Sequence, residues 1–160
     1  MNKLIRYSIV SLFILVSFAC KSQLPKDLPK DLEMRFASSK TFPDGDPMSF
    51  FRSVSISGNQ MKVELSRCQK VENVILDERQ IDGLYQLFVK SGFDLIKNEE
   101  TATSGEKDGF QEIYLKVGSI SNNVRLGKQF SLGEKDREHF NELWTAINDL
   151  SYSSVSKCPN

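Results

Sequence analysis

The chain has 160 residues, with 21 Lys and Arg against 21 Asp and Glu, one His and three Cys. Because Lys3 and Arg6 lie in a strongly apolar stretch of 19 residues at the start, the rest of the chain carries 19 basic and 21 acidic residues, a net charge of −2. This charge gives no electrostatic reason to expect a nucleic acid partner, and the length allows a single domain.

Residues 1–19 have the three parts of a secretory signal peptide. Lys3 and Arg6 precede an apolar run from Tyr7 to Ala19, and the small residue Ala19 stands before Cys20. The run is too short for a transmembrane helix, which needs about 20 apolar residues. We therefore expect export of the chain.

The segment Ser17-Phe18-Ala19-Cys20 resembles the lipobox of bacterial lipoprotein precursors, in the looser form seen in some Gram-negative lineages. The strict motif has Leu in place of Ser17 and a small or β-branched residue in place of Phe18. The resemblance implies that Cys20 becomes the N-terminus and carries two or three acyl chains, such as palmitate, which hold a protein firmly on a bilayer. Since Lys21 rather than Asp follows, it also implies an outer-membrane address facing the periplasm. The alternative is a soluble secreted protein that is cut elsewhere.

Residues 20–31 contain the tetrapeptide Leu-Pro-Lys-Asp twice, at 24–27 and 28–31. Pro25 and Pro29 favour extended backbone, so the pattern predicts a semi-rigid spacer that sets the domain about 30 Å from its anchor. The alternative is that Leu24, Leu28 and Leu32 form an apolar stripe.

Cys68 and Cys158 form an even pair in an oxidising compartment, so a disulfide between them is possible. It would close a loop of about 90 residues and fix the polar tail, residues 151–160. A pair can also arise by chance, and the sequence leaves both readings open.

The domain, residues 32–150, begins with predicted strands. Alternating apolar residues indicate a strand from Leu32 to Phe36, a hairpin over 54–65 with its turn at Gly58-Asn59, and a short strand over 71–76. A helix over about 77–91 follows, with Asp77 and Gln80 as a capping box and Gly92 as its stop.

The second half repeats this order. We predict a strand at 93–96, a polar loop over 98–109, a strand through Ile113 to Val117, a turn near 121–123 and a strand at 124–126. A last helix, over about 132–150, has Ser131 and Glu134 as a capping box. The fold class is thus α+β, a mainly antiparallel sheet of about six to seven strands with both helices on one face. In this layout the chain looks like several small lipoprotein domains of unknown function.

No phosphate-binding glycine loop, metal-binding His pair, nucleophile elbow or redox Cys pair is present in the sequence, so we expect no enzyme activity, metal or cofactor. His139 is placed at the border of the last helix's apolar stripe, where Asp136 or Glu142 could bond to it. Acidic residues cluster at Asp44 and Asp46 and around the long loop, in Glu99, Glu100, Glu106 and Asp108, without the ligand spacing of a calcium loop. Phe50 and Phe51 are adjacent in a strand, so one of them is a candidate exposed recognition residue.

These observations favour a lipid-anchored cell-envelope lipoprotein that is a non-catalytic binding module. Its expected partners are the membrane, through lipid on Cys20, and an envelope protein. The alternatives are an envelope hydrolase that uses acidic residues and an inhibitor of a secreted hydrolase.

Overall fold

The computed structural model describes residues 21–40, 50–100, 109–127 and 129–154. Within these ranges the chain has the predicted α+β fold, with eight strands, two of them only two residues long, and two helices. The strands are β1 (Glu33–Lys40), β2 (Phe50–Ser57), β3 (Gln60–Leu65), β4 (Lys70–Ile75), β5 (Glu99–Glu100), β6 (Phe110–Val117), β7 (Ile120–Gly127) and β8 (Phe130–Ser131), and the helices are α1 (Glu78–Ser91) and α2 (Glu134–Ser154).

All strands belong to one antiparallel sheet in the order β4-β3-β2-β1-β6-β7-β8-β5. Side chains alternate between its two faces, and the buried apolar residues of the strands fall on one of them. Phe36, for example, lies opposite Val54 on one side and Ile113 on the other, and all three are buried. The predicted period of two is thus confirmed for these strands, and it gives the sheet one buried apolar face.

Both helices pack on this apolar face, as predicted. Helix α1 buries Ile81, Leu84, Tyr85 and Phe88, and α2 buries Phe140, Leu143 and Ile147. The ring of Phe88 lies 6.1 Å from that of Phe36 on the sheet and 4.9 Å from that of Phe93. This aromatic cluster joins helix to sheet at the centre of the core.

The capping box of α1 is confirmed. The side chain of Asp77 accepts a hydrogen bond from the backbone N–H of Gln80, and the side chain of Gln80 accepts one from the N–H of Asp77. At the other end Gly92 adopts a φ of 61°, the left-handed conformation that a side chain would strain. The local sequence therefore determines both ends of this helix.

The predicted capping box of α2 is wrong. Ser131 lies in β8, where its hydroxyl donates to Glu99 of β5, and the helix begins only at Glu134. The helix also continues to Ser154, so the predicted tail starts within it, and Ser151 is buried. Ser131 pairs with β5 at the sheet edge instead of capping the helix.

Two further predictions about the second half are wrong. Residues Phe93–Leu95 form a 3-10 helix rather than a strand, because the chain reverses at Gly92 and places Phe93 in the core. The turn between β6 and β7 lies at Gly118, whose φ is 57°, and not at 121–123. Asn122 is instead a strand residue whose amide donates to the carbonyls of Phe93 and Ile96, at 2.6 and 2.9 Å.

The N-terminal segment is not the predicted free spacer. Leu24 and Leu32 are buried and Leu28 packs against the core, so the leucines that the sequence spaced four apart do contact the domain, although no helix forms there. Polar bonds to α1 assist: Tyr85 donates to the carbonyl of Pro25 at 2.7 Å, and Gln86 to that of Lys26 at 2.9 Å. The folded domain therefore begins well before residue 32.

Candidate functional site

The face of the sheet opposite the helices is polar, and no helix of the described residues covers it. We call it the open face. Arg35 lies at its centre with its guanidinium 4.3 Å from the centroid of the Tyr114 ring, a cation–π contact across β1 and β6. Around this pair lie ion pairs of Lys62 with Glu64, Lys116 with Glu33 and Arg125 with Glu112, and the serines Ser53, Ser55 and Ser57 of β2.

The charges of the open face are mostly neutralised by their neighbours. Lys62 and Ser53 both bond to the side chain of Glu64, and these bonds hold the pKa of that carboxyl below its usual value. Side chains so paired on an exposed sheet contribute little to stability, because water screens them. The open face is thus a hydrated, electrically balanced surface.

One margin of the open face, at the edge of the sheet, is apolar. Strand β4 is the last in the order, so it has a strand neighbour on one side only among the described residues. Val71 and Ile75 project from it on the open face with 53% and 68% of their surface exposed, and Asn73 lies between them. We call these three residues the β4 edge. The opposite margin is formed by β5, which is two residues long.

A strand of six residues with exposed aliphatic side chains is unusual as the last strand of a sheet. Proteins commonly protect such edges by making them short, bulged or charged, because unpaired backbone groups recruit further strands. Strand β5 is short. Strand β4 carries the ion pair of Lys70 with Glu72 on its inner face, but exposed aliphatic side chains on the open face. The β4 edge therefore has the main-chain and side-chain features that accept an added strand.

A pocket of about 650 Å³ lies at the end of β1 and β6, beside β8 and the first turns of α2. Its lining combines hydroxyl groups, two aromatic rings and one cation: Ser38, Ser39, Ser131, Phe110, Phe130 and Arg137. Such a lining suits hydroxyl-rich or anionic groups of a ligand.

Arg52 is buried on the helix side of β2, 6% exposed, and ties the end of α2 to the sheet. It donates to the side chains of Asn148, at 2.6 Å, and Ser151, and its guanidinium lies 4.1 Å from the ring centroid of Tyr152. Burial lowers its pKa and the nearby Tyr152 raises it, with burial the larger effect. Because α2 has no basic residue in its last turn, Arg52 also supplies the cation that a helix C-terminus favours.

Sequence reasoning missed Arg52, although a signal was present. The residue is in phase with Val54 and Ile56, so the same alternation that predicts their burial places Arg52 on the inner face. A cation at such a position indicates a specific set of partners.

Cys68, at the end of the 3-10 helix Ser66–Cys68, is disulfide-bonded. Cys20 and Cys158 both lie outside the described residues, so the pair with Cys158 stays a prediction. The position of Cys68 favours it. Leu65, three residues before Cys68, lies opposite Arg52 in the sheet. Arg52 contacts Ser151 and Tyr152 of α2, and Tyr152 precedes Cys158 by six residues. Cys20 instead precedes Ser22, which is bonded to Asp94 near the other end of the strands.

The other candidate residues do not form one cluster. His139 is half-buried, and its buried Nδ1 has no hydrogen-bond partner within the described part of the chain. Glu142, one of the two partners predicted for it, pairs with Lys90 of α1. Phe51 is 39% exposed on the open face, as one of the two phenylalanines was expected to be; the side chain of Phe50 lies outside the described residues.

Most members of the two acidic clusters of the sequence lie outside the described ranges, namely Asp44, Asp46, Glu106 and Asp108. Glu99 lies on β5 beside Ser131. Within the described ranges no three His, Cys, Asp or Glu side chains are grouped for a metal ion. The hydrolase hypothesis stays a prediction.

A comparison with protein-family models finds no match to this chain, and a comparison with curated proteins finds no relative. Within the residues that the structure describes, no helix is long and apolar enough to cross a membrane.

Proposed function

We propose that this chain is a lipid-anchored cell-envelope protein, held by acyl chains on Cys20, whose α+β domain is a non-catalytic binding module. The outer membrane, facing the periplasm, is the address that the residue after Cys20 suggests. The signal-peptide form of residues 1–19 and the lipobox resemblance at 17–20 support the anchor. The early start of the folded domain is compatible with it.

The β4 edge is the observation that carries the binding function. We infer that an extended segment of an envelope protein adds as a further strand to β4. The backbone of β4 would supply hydrogen bonds, and Val71 and Ile75 would pack against alternate side chains of the added strand. Asn73 between them would favour a polar side chain at the central position.

The anchor is tested by cell fractionation. Cys20→Ala removes the only atom that the lipid could use at this position, so we expect the variant to leave the membrane fraction. Ser17→Leu is the matched control, because it brings the lipobox resemblance closer to the strict motif and should leave the protein in the membrane fraction. Membrane retention of Cys20→Ala would contradict the anchor.

The binding surface is tested by photo-crosslinking in cells. A photoreactive residue at position 75 should form one discrete adduct with an envelope protein, whereas the same residue at the exposed position Asn141 of α2 should not. Val71→Lys should abolish the adduct, because it replaces an aliphatic contact with a charge, and a lysine on an edge strand disfavours pairing. An adduct of twice the chain mass would identify a second copy as the partner, and equal labelling at both positions would refute the site.

A further inference from the structure

We propose that the domain rests directly on the bilayer, with Lys21, Leu95 and Lys97 in contact with the lipid headgroups. These three residues are called the anchor surface. The inference depends on the proposed lipidation of Cys20 and adds to it the orientation of the domain.

The first step is the shortness of the connection between Cys20 and the fold. The hydroxyl of Ser22 donates to Asp94 Oδ1 at 2.6 Å, and the backbone N–H of Gln23 donates to Asp94 Oδ2 at 2.7 Å. Leu24 is buried. Only Lys21 lies between this contact and Cys20, and two residues of extended chain span at most about 7 Å.

The second step compares this length with the bilayer. Each headgroup layer is about 5 to 8 Å thick, since the full bilayer exceeds its hydrocarbon core by about 10 to 15 Å. Acyl chains on Cys20 must enter the hydrocarbon, so Cys20 lies at the inner side of the headgroup layer. A connection of about 7 Å then keeps Ser22 and its surroundings at the outer side of the same layer.

The third step is the rigidity of the contact. Residues 22–32 are held by the bonds to Asp94, by the bonds of Tyr85 and Gln86 to backbone carbonyls and by the burial of Leu24 and Leu32. These contacts fix residues 22–32 on the domain. Since only Lys21 separates Ser22 from the proposed anchor, the surface beside Ser22 stays the part of the domain closest to the lipid.

The fourth step is the chemistry of the surface beside Ser22. Leu95 and Ser22 are neighbours, because Leu95 Cδ1 and Ser22 Cβ both lie within 4.0 Å of the same point, where Gly92 would carry a Cβ. Leu95 is 38% exposed, Ile96 turns into the core, and Lys97 is exposed again. Lys21 is also exposed. The carboxylate of Asp94 is engaged by Ser22 and Gln23, so an exposed aliphatic side chain and two exposed lysines remain, which suit the boundary of anionic headgroups and acyl chains.

This orientation directs the pocket at the end of β1 and β6 away from the membrane. Asn122, bonded to the backbone beside the anchor surface, and Leu126, which lines the pocket, lie four residues apart on β7. That separation is about 13 Å along the strand. The pocket would then lie at the end of the strands away from the lipid.

The test uses the lipidated full chain in vesicles of phosphatidylcholine and phosphatidylglycerol with brominated acyl chains, which quench tryptophan at short range. In a Trp144→Phe background, Leu95→Trp places the sole tryptophan on the anchor surface, and Gln129→Trp places it beside the pocket as the control. We expect quenching at position 95 to exceed that at 129 by about threefold or more, since only the anchor surface reaches the headgroup layer.

Two outcomes would overturn the inference and are distinguishable. Equal quenching at both positions, with an acylated mass and vesicle binding, would leave the anchor intact and refute the orientation. An unacylated mass would refute the anchor and the orientation together. In the Asp94→Ala variant the contrast between positions should fall, because the contact with Ser22 is lost; an unchanged contrast would refute the role of this contact.

Discussion

Arg52 shows how a single buried cation organises two elements of this fold. Its partners are an amide, a hydroxyl and an aromatic ring at the end of α2, rather than a carboxylate. The planar guanidinium can donate in two directions and stack at the same time, which an ammonium group cannot do. The contact therefore depends on arginine itself and not only on a positive charge.

We expect Arg52→Lys to lower the free energy of unfolding by about 1 to 2 kcal/mol, because a buried donor set is lost. Arg125→Lys is the control. Arg125 pairs with Glu112 at the open face with 44% of its side chain exposed, so its replacement should cost less than about 1 kcal/mol. Urea denaturation of both variants gives the comparison, and equal losses would contradict the account of Arg52.

Tyr85 gives a prediction about alkaline pH. Burial, and secondarily the charge of Asp94, raise its pKa above the usual 10.0. The folded state therefore keeps the phenol proton that the unfolded chain releases, and this stabilisation is complete below pH 10 and is lost as pH rises towards the pKa of the folded protein. Tyr85→Phe should lower stability at neutral pH by about 1 kcal/mol, through the lost bond to Pro25.

The same variant should show a weaker decline of stability above pH 10, because its phenol contribution to the pH dependence is absent. Urea denaturation at neutral pH and at pH values above 10 tests both effects. An alkaline decline identical to that of the wild-type protein would contradict the raised pKa of Tyr85.

At the scale of elements, the local sequence predicts those helix ends and turns that involve no residue distant in the chain. The capping box at Asp77, the glycine stop at Gly92 and the Gly58-Asn59 hairpin involve only residues close in sequence. Ser131 has the same cap signal as Asp77, but pairing with β5 decides its structure. Phe93 looked like a strand residue, although its burial depends on Phe88 and Asn122, which a local pattern does not include.

The glycines of two elements provide a matched pair of substitutions. Gly83 lies inside α1 with no atom within 4 Å of an added Cβ, so Gly83→Ala should stabilise the protein by about 0.5 to 1 kcal/mol. Gly118 has a φ of +57°, so Gly118→Ala should destabilise it by about 1 kcal/mol. Thermal unfolding of both variants checks the signs. A loss of stability in Gly83→Ala would contradict the free space described on α1.

At the scale of the whole molecule, the sequence predicts the fold class and the inward face of most strands. It does not predict the strand order, because that order depends on contacts between distant segments. For that reason the β4 edge was not foreseen: Val71 and Ile75 read as ordinary strand residues until β4 is placed last in the sheet. The docking of the N-terminal segment on the domain was missed similarly, since Tyr85 and Gln86, which donate to the carbonyls of Pro25 and Lys26, lie 60 residues away.

The disulfide is a property of the whole chain as well. If Cys68 pairs with Cys158, Cys158→Ser should lower the free energy of unfolding by up to about 4 to 5 kcal/mol, the chain-entropy estimate for a loop of about 90 residues. The double variant Cys68→Ser, Cys158→Ser should lose the same free energy of unfolding as the single variant, because each variant removes the same disulfide. Unchanged stability of Cys158→Ser, with Cys68 still resistant to alkylation without reduction, would contradict this pair.

The most direct test of the central claim, that the domain is anchored by lipid on Cys20, is the intact mass of the protein extracted from membranes. We expect a chain that starts at Cys20 and carries the added mass of two or three acyl chains. A chain without acyl mass, or one cut at another position, would contradict the anchor and the orientation that follows from it.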